Sequence, residues 1–478
     1  MNVDRARLDR ALNPRSVVVV GDKGPHYMWL SNLSEFEGPV YSVQLDEKEI
    51  PGILEKGIEN FSSLTEIPGE VDLVICAVPR QVTPYIVADA VKKEVGGVAM
   101  FTSGFVETGD EVGARLQEQI VAAAREAGLP LVGPNCMGVY NRRLGVKFGQ
   151  GQEKGQPDED GHLSIISQSG THGISITAGM QALGIRVTRT ISIGNAAVLN
   201  ETDYLEYLRD DPDTPVIVMY LEGVRDGRQF ASLLRKVTRE KPVVIWRGGR
   251  TSAGARAAAS HTASLASDDA IWSALMRQAG AISTDSAEET LDVAQALVRM
   301  PRSDRRGLAL IAMTGGQSVA ITDQFARAGF EVPELSQQSY DRLAEFFVTI
   351  GGSYRNPFDA SSTIGREDDN LAKILDILAD DANIEGVALE MQARDFEKGT
   401  ERLDGQIGLL RSYQERTQQP VVAIMPEGGF GAATPGILAD ARVHVGRAGF
   451  ATYASFARAA IAFGRVRDYW AWRGEVGC

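Results

Sequence analysis

Residues 248–262 read GGRTSAGARAAASHT, a run nearly free of large apolar groups, with His261 near its end. No packed core can be built from such a run, and long small-residue loops often carry function. An imidazole there could serve as a nucleophile or a proton shuttle, or be a plain exposed loop histidine. Glu222 closes the apolar run 216–221 and is followed by Gly223. A carboxylate there could orient an imidazole by accepting its ring N–H, or could cap a helix or pair with a cation. Ser167-Gln168-Ser169-Gly170-Thr171 follows another apolar run and opens a helical pattern. Small residues at a helix start let backbone N–H groups face an anion, although Ser and Thr are also ordinary N-caps.

Two further turns sit after β-like runs. Gly133-Pro134-Asn135-Cys136-Met137-Gly138 forces a tight backbone, and Cys136 reads as a reactive thiol or, preferably, a small buried residue. Gly21-Asp22-Lys23-Gly24 resembles a dinucleotide-binding turn without the full Gly-x-Gly-x-x-Gly spacing.

The elements that must position these residues follow a repeating order. Short apolar runs at 16–21, 71–78, 97–101 and 129–133 predict buried parallel strands, and 111–127 predicts a helix between the last two. A second series has strands at 163–166, 187–193, 215–221 and 242–246. A third has strands at 308–313, 386–390 and 420–425, with a final helix near 450–464. Strand–helix–strand repetition predicts an α/β protein with parallel sheets. The polar, Gly-rich stretch 151–161 and the charged stretch 302–306 read as linkers. The expected domains are therefore 1–150, 151–302 and 303–478, each of ordinary size.

Composition narrows the class. The 478 residues are 44% hydrophobic and 23% charged, which excludes a disordered or fibrous chain. Net charge is −14, a poor match to a nucleic-acid backbone. No apolar run is long enough for a membrane span, and the N-terminus lacks a signal-peptide core. Cys76, Cys136 and Cys478 are too few and too scattered for a disulfide framework or zinc site, so no metal is expected. These features predict a cytoplasmic protein.

Taken in order, the motifs resemble the α subunit of the NDP-forming (ADP-forming) acyl-CoA synthetases, the superfamily of succinyl-CoA synthetase. The residues carrying the resemblance are Val78-Pro79, Thr102-Ser103-Gly104-Phe105, 133–138, Ser167-Gln168-Ser169-Gly170, Gly194-Asn195, Tyr220-Leu221-Glu222-Gly223 and 254–262. Thr314-Gly315-Gly316 and Asn356-Pro357-Phe358-Asp359 match in style in the third series. The resemblance spans nearly the whole chain. It implies a Rossmann-like CoA-binding domain followed by two flavodoxin-like domains. It implies that acyl-CoA and phosphate become acyl phosphate and CoA, and that a histidine carries the phosphoryl group to ADP. By position, His261 would be that histidine and Glu222 its orienting carboxylate. Ser167, Gln168, Ser169, Gly170 and Thr171 would cradle phosphate. Gly21, Lys23, Val78, Pro79, Ser103, Gly104, Asn135 and Cys136 would lie along CoA.

The sequence departs from the family pattern in several places. No ATP-grasp segment follows the third series, so the resemblance implies a separate ATP-grasp β subunit binding Mg-ATP or ADP, with an acyl-CoA or carboxylic acid as substrate. Met28, Trp29 and Leu30 crowd the first turn, Ala263 and Ser267 stand where the family favours glycine, and Ala196–Glu201 lacks the usual acidic match. These departures motivate two alternatives: a CoA-binding, thioester-handling enzyme that has lost phosphotransfer, and a non-catalytic CoA-binding protein.

Overall fold

Val17–Val20 (β1) is buried along its whole length, as expected of a central strand covered on both faces. In the computed structural model β1 lies between Val40–Val43 (β2) and Leu73–Cys76 (β4), parallel to both. Glu59–Phe61 (β3), Gly97–Met100 (β5) and Leu131–Val132 (β6) complete a parallel sheet of order β3-β2-β1-β4-β5-β6. That is the Rossmann order. The structure describes residues 4–149, 151–155, 160–254, 256, 269–364, 369–393, 396, 399–427 and 434–477.

The second sheet is built from Gly138–Asn141 (β7), Leu163–Ser167 (β8), Val187–Ser192 (β9), Val216–Leu221 (β10), Val243–Arg247 (β11) and Ile282–Thr284 (β12). Its order is β12-β11-β10-β8-β9-β7, parallel except for β7, which runs antiparallel to β9. Without β7 this is the flavodoxin order, with β8 first in the chain and β9 outside it. The third sheet repeats that order with Leu308–Ala312 (β13), Phe358–Asp359 (β14), Gly386–Glu390 (β15), Val421–Ile424 (β16) and Ala451–Tyr453 (β17), arranged β14-β13-β15-β16-β17. The α/β architecture is thus a Rossmann-like sheet and two flavodoxin-like sheets.

Two differences from the sequence expectations have physical causes. The boundary expected at 150 falls after β7, which already belongs to the second sheet. Gly138, at φ +83, turns the chain out of the 133–138 loop, and β7 then pairs along β9. The last helix is Phe456–Glu475 rather than 450–464. Residues 451–453 extend the third sheet, and the Ser455 hydroxyl caps the helix by accepting the Arg458 N–H.

By contacts the chain divides into two units, residues 1–181 with 186–287, and 182–185 with 288–478. The first unit carries the first two sheets and every described candidate residue. In the second, Asn356 ties its loop to the sheet: its amide accepts from the Leu310 N–H and donates to the Leu308 and Pro333 carbonyls. No described helix is long and apolar enough to cross a membrane.

Candidate functional site

The site is built on the carboxyl ends of β8, β10 and β11, where ligands gather in open parallel sheets. β8 delivers Ser167, whose hydroxyl donates to the Ser169 carbonyl at 2.6 Å. The Ser169 hydroxyl accepts the His172 N–H at 3.4 Å, so it caps the helix Gly170–Ala182. Gly170 begins that helix because a Cβ there would lie 2.8 Å from Met137 Cγ. Thr171 is exposed at the helix start.

Gln168 faces another way than a phosphate cradle alone would require. It is buried, and its amide oxygen accepts the N–H groups of both Glu222 and Gly223. Its amide nitrogen donates to the Gly223 carbonyl at 3.1 Å, and its own N–H donates to the Tyr220 carbonyl at 3.0 Å. Gln168 therefore fixes the turn that carries Glu222.

Glu222 follows β10 and is only 7% exposed. The Tyr220 hydroxyl donates to its Oε1 at 3.2 Å. Burial and then the Glu222 charge push the Tyr220 phenol well above its usual range, so it stays protonated and donates. The Tyr220 ring meets His172 at 4.3 Å and Trp246 at 4.7 Å between centroids, and His172 meets Trp246 at 4.6 Å. Gly248 leaves space for the hydroxyl, since a Cβ there would lie 2.6 Å from it.

The chain on either side of residues 257–268 is tied together. Arg247, buried at the end of β11, lies over the Trp272 ring at 5.0 Å and 3.6 Å from the Asp269 carboxylate. Arg250 pairs with Asp269 at 3.0 Å and also with Asp285. The Arg250 hydrogen bond holds the Asp269 carboxyl below its usual range. His261 lies outside the described residues, as do Ala263 and Ser267.

The residues expected along CoA stand at the carboxyl ends of β1, β4, β5 and β6, four neighbouring strands. Gly21 has φ +84, and a Cβ would lie 2.6 Å from Val78 Cγ1, so β1 and β4 close together there. Lys23, Pro79 and Ser103 are exposed, while Val78, Gly104 and Asn135 are half-buried. Thr102 donates to the Val78 carbonyl at 2.7 Å, and Arg80 donates to the Gly104 carbonyl at 2.5 Å. Cys136 turns its thiol inward toward the Met100 and Val132 carbonyls, and burial pushes that thiol up to about 12. Its reading as a reactive thiol gives way to that of a small buried residue.

The first turn differs from a dinucleotide cradle. The Asp22 carboxylate accepts the Leu30 N–H at 2.8 Å and the Lys23 N–H at 3.1 Å. Burial pushes its acid up, the backbone donors opposing. The protein's own carboxylate thus takes backbone donors that a phosphate would use in a Gly-x-Gly-x-x-Gly turn.

Asn195 joins the two edges. Its amide donates to Glu107 Oε2 at 2.6 Å and to Gln117 Oε1 at 3.1 Å. Its N–H donates to the Pro134 carbonyl, and the Ala197 N–H donates to that of Gly133. Arg225 donates to the Asn195 carbonyl at 2.5 Å. Gly194, at φ +50, permits the approach, because a Cβ would land on the Pro134 and Asn135 carbonyl oxygens. Burial opposes ionisation of Glu107, but its bonds from Asn195, Gly104 and Phe105 outweigh it and hold the acid low. Glu107, Gln117, Arg225, His172 and Trp246 escaped the sequence reading; Gly248, which opens the small-residue run, and the aromatic closing the strand before it were the available signals.

Comparison with known proteins adds to this geometry. Residues 15–142 match the family described as "CoA binding domain", and 160–297 match "Succinyl-CoA ligase like flavodoxin domain". The chain is 32% identical over 430 residues to the "Acetate--CoA ligase [ADP-forming] II subunit alpha" of Pyrococcus furiosus, covering 88% of this chain and 90% of that one. It is 33% identical over 382 residues to the "Acetate--CoA ligase [ADP-forming] I" of Archaeoglobus fulgidus, covering 79% of this chain but 54% of the relative, about half its length. A "dinucleotide forming Acetyl-coenzyme A synthetase 1 in complex with phosphate and ADP" from Ca. Korarchaeum cryptofilum aligns with TM-score 0.82 and 27% identity, covering 100% of this chain and 98% of that one.

Proposed function

Because the chain belongs to the family of ADP-forming acyl-CoA synthetase α subunits, which are acid–CoA ligases, we propose that it carries the phosphohistidine half of that reaction and works with an ATP-grasp β subunit. The observation that supports this most is the clamp of Gln168 on the Glu222 turn, on the sheet edge next to the strand leading to His261. The name of the Pyrococcus relative, a subunit alpha, supports a partner subunit.

In the first step a phosphate oxygen attacks the acyl carbonyl carbon, the C–S bond breaks, and CoA leaves as thiolate and takes a proton. In the second, one ring nitrogen of His261 attacks phosphorus, the P–O bond to the acyl group breaks, and the carboxylate leaves. The phosphoryl group then passes to ADP on the partner, where Mg-ATP is made. Splitting the transfer through a covalent intermediate replaces one difficult step with two easier ones.

Each residue has a part in this scheme. Glu222 is the acceptor for the N–H on the other ring nitrogen of His261, which would fix the tautomer and stabilise the imidazolium that forms. The helix beginning at Gly170 would offer its positive end to the phosphate, and Thr171 is exposed at that helix start. Ser103 and Pro79 are exposed and Val78 half-buried at neighbouring strand ends, which supports their lying along CoA, while the Asp22 carboxylate already takes backbone donors of the first turn. Cys76 and Cys136 carry free thiols, which fits a reducing cytoplasm.

The test incubates the chain with labelled phosphate and a panel of acyl-CoAs, beside His261→Ala. An acid-labile, base-stable phosphoprotein in the wild type alone supports the proposal, and the best acyl-CoA identifies the substrate class. CoA release without phosphate would replace it with a thioester-handling enzyme. CoA binding with no turnover, with or without a partner, would replace it with a binding protein.

A further inference from the structure

We infer that Tyr220 is a positioning residue for phosphoryl transfer, acting through Glu222, with His172 and Trp246 holding its ring in place. The inference rests on the proposed role of Glu222.

Tyr220 lies next to last in β10 and Glu222 just beyond the strand's end, and their side chains meet across Leu221. The Tyr220 hydroxyl donates to Glu222 Oε1 at 3.2 Å. A donor on one carboxylate oxygen sets the plane of the group, and with it the direction in which the other oxygen presents its lone pairs. Orienting an imidazole requires that direction to be set before the phosphoryl group arrives. The backbone of Glu222 is held by Gln168, and the Tyr220 hydroxyl adds a constraint on its side chain.

The surroundings serve the same end. Tyr220 is 6% exposed, and a buried phenol hydroxyl needs a polar partner. His172 and Trp246 pack against the ring at edge or tilted angles and limit its swing. They come from two separate elements, the helix after β8 and the end of β11, and also meet each other at 4.6 Å, so the three rings form one cluster. Gly248 gives the hydroxyl its space, and any side chain there would push it off the carboxylate.

The experiment measures the rate of acyl-CoA-dependent phosphate labelling of the full chain. Tyr220→Phe, Glu222→Gln, the double variant and Gly248→Ala are compared with wild type, with CoA affinity and Tm recorded for each. Tyr220→Phe should slow labelling about ten- to a hundredfold, the range for losing a hydrogen bond to a charged group. CoA affinity should stay near wild type, and Tm should fall by no more than a few degrees. Gly248→Ala should slow labelling similarly by displacing the hydroxyl rather than deleting it. In the double variant, Tyr220→Phe should add no further loss to Glu222→Gln, because the hydroxyl acts only through that carboxylate. Wild-type labelling in Tyr220→Phe, or losses that multiply in the double variant, would overturn the inference and leave the role of His261 standing. A wild-type chain that takes no label removes the proposed function and this inference with it.

Discussion

The side chain of Gln168 is bonded to both ends of one turn: its amide oxygen accepts from Glu222 and Gly223, and its nitrogen donates back to the Gly223 carbonyl. A residue of the helix-opening motif thereby holds the carboxylate motif of the neighbouring strand. The two motifs are separated by more than fifty residues in the chain and share one polar side chain.

Replacing that side chain should show both effects. Gln168→Ala removes these bonds and leaves the buried Glu222 and Gly223 N–H groups to find other partners. Each lost bond of this kind costs about 1 kcal/mol, so the fall in stability should be about 2–3 kcal/mol, seen in urea unfolding followed by tryptophan fluorescence. Labelling should slow as well. Gln168→Glu keeps the shape and the acceptor but loses the donor, and should fall between Ala and wild type at high pH. Unchanged labelling in Gln168→Ala would detach the clamp from catalysis.

Gly194 is the second point at which a single atom decides packing. Gly194→Ala combines a left-handed backbone with a Cβ on two carbonyl oxygens, so the loops of the first two sheets must part. The expected cost is about 2–4 kcal/mol. Gly227→Ala is the contrast, since a Cβ there meets nothing and the residue opens a helix. That variant should match or slightly exceed wild-type stability. Equal Tm values for the two variants would contradict the packing.

Cys76 and Cys136 predict a pH dependence. Burial pushes their thiols up to about 11 and about 12, from an ordinary value of 9.0. Between about pH 8.5 and those values the unfolded chain has released protons that the folded chain retains. The folded state then binds more protons, so stability falls as pH rises through that window. Below it these thiols contribute no slope. Denaturation midpoints from pH 7 to about 9.5 should show the decline, and Cys76→Ala with Cys136→Ser should reduce it; at higher pH the buried phenols of Tyr140, Tyr204 and Tyr453, also pushed up by burial, add a slope of the same sign. Neither thiol should react with a disulfide reagent at pH 8 until the chain unfolds. Rapid native labelling at either one would contradict their burial.

Much of the fold was legible because central parallel strands are apolar on both faces. Val17–Val20, Leu73–Cys76 and Val216–Leu221 need no partner to be recognised. Val40–Val43 and Glu59–Phe61 lie toward or at one edge, mix polar with apolar residues, and are not among the expected strands. Gly138–Asn141 shows a strand-like pattern but nothing local names the sheet it joins. The site was legible as motifs rather than as an arrangement. Gln168 reads as a phosphate ligand until its amide is seen spent on the Glu222 turn. Tyr220, His172 and Trp246 come from three segments, and only the pairing of β8, β10 and β11 brings their rings together.

Passage of the phosphoryl group through His261 is the step on which the rest of the proposed chemistry depends. The most direct measurement is mass spectrometry of the full chain, without acid treatment, after brief incubation with phosphate and the preferred acyl-CoA. One phosphoryl group is expected, mapped to the peptide containing His261, absent from His261→Ala and much reduced in Glu222→Gln. Phosphate-dependent CoA release at the wild-type rate by His261→Ala, with no phosphorylated peptide in either protein, would contradict it.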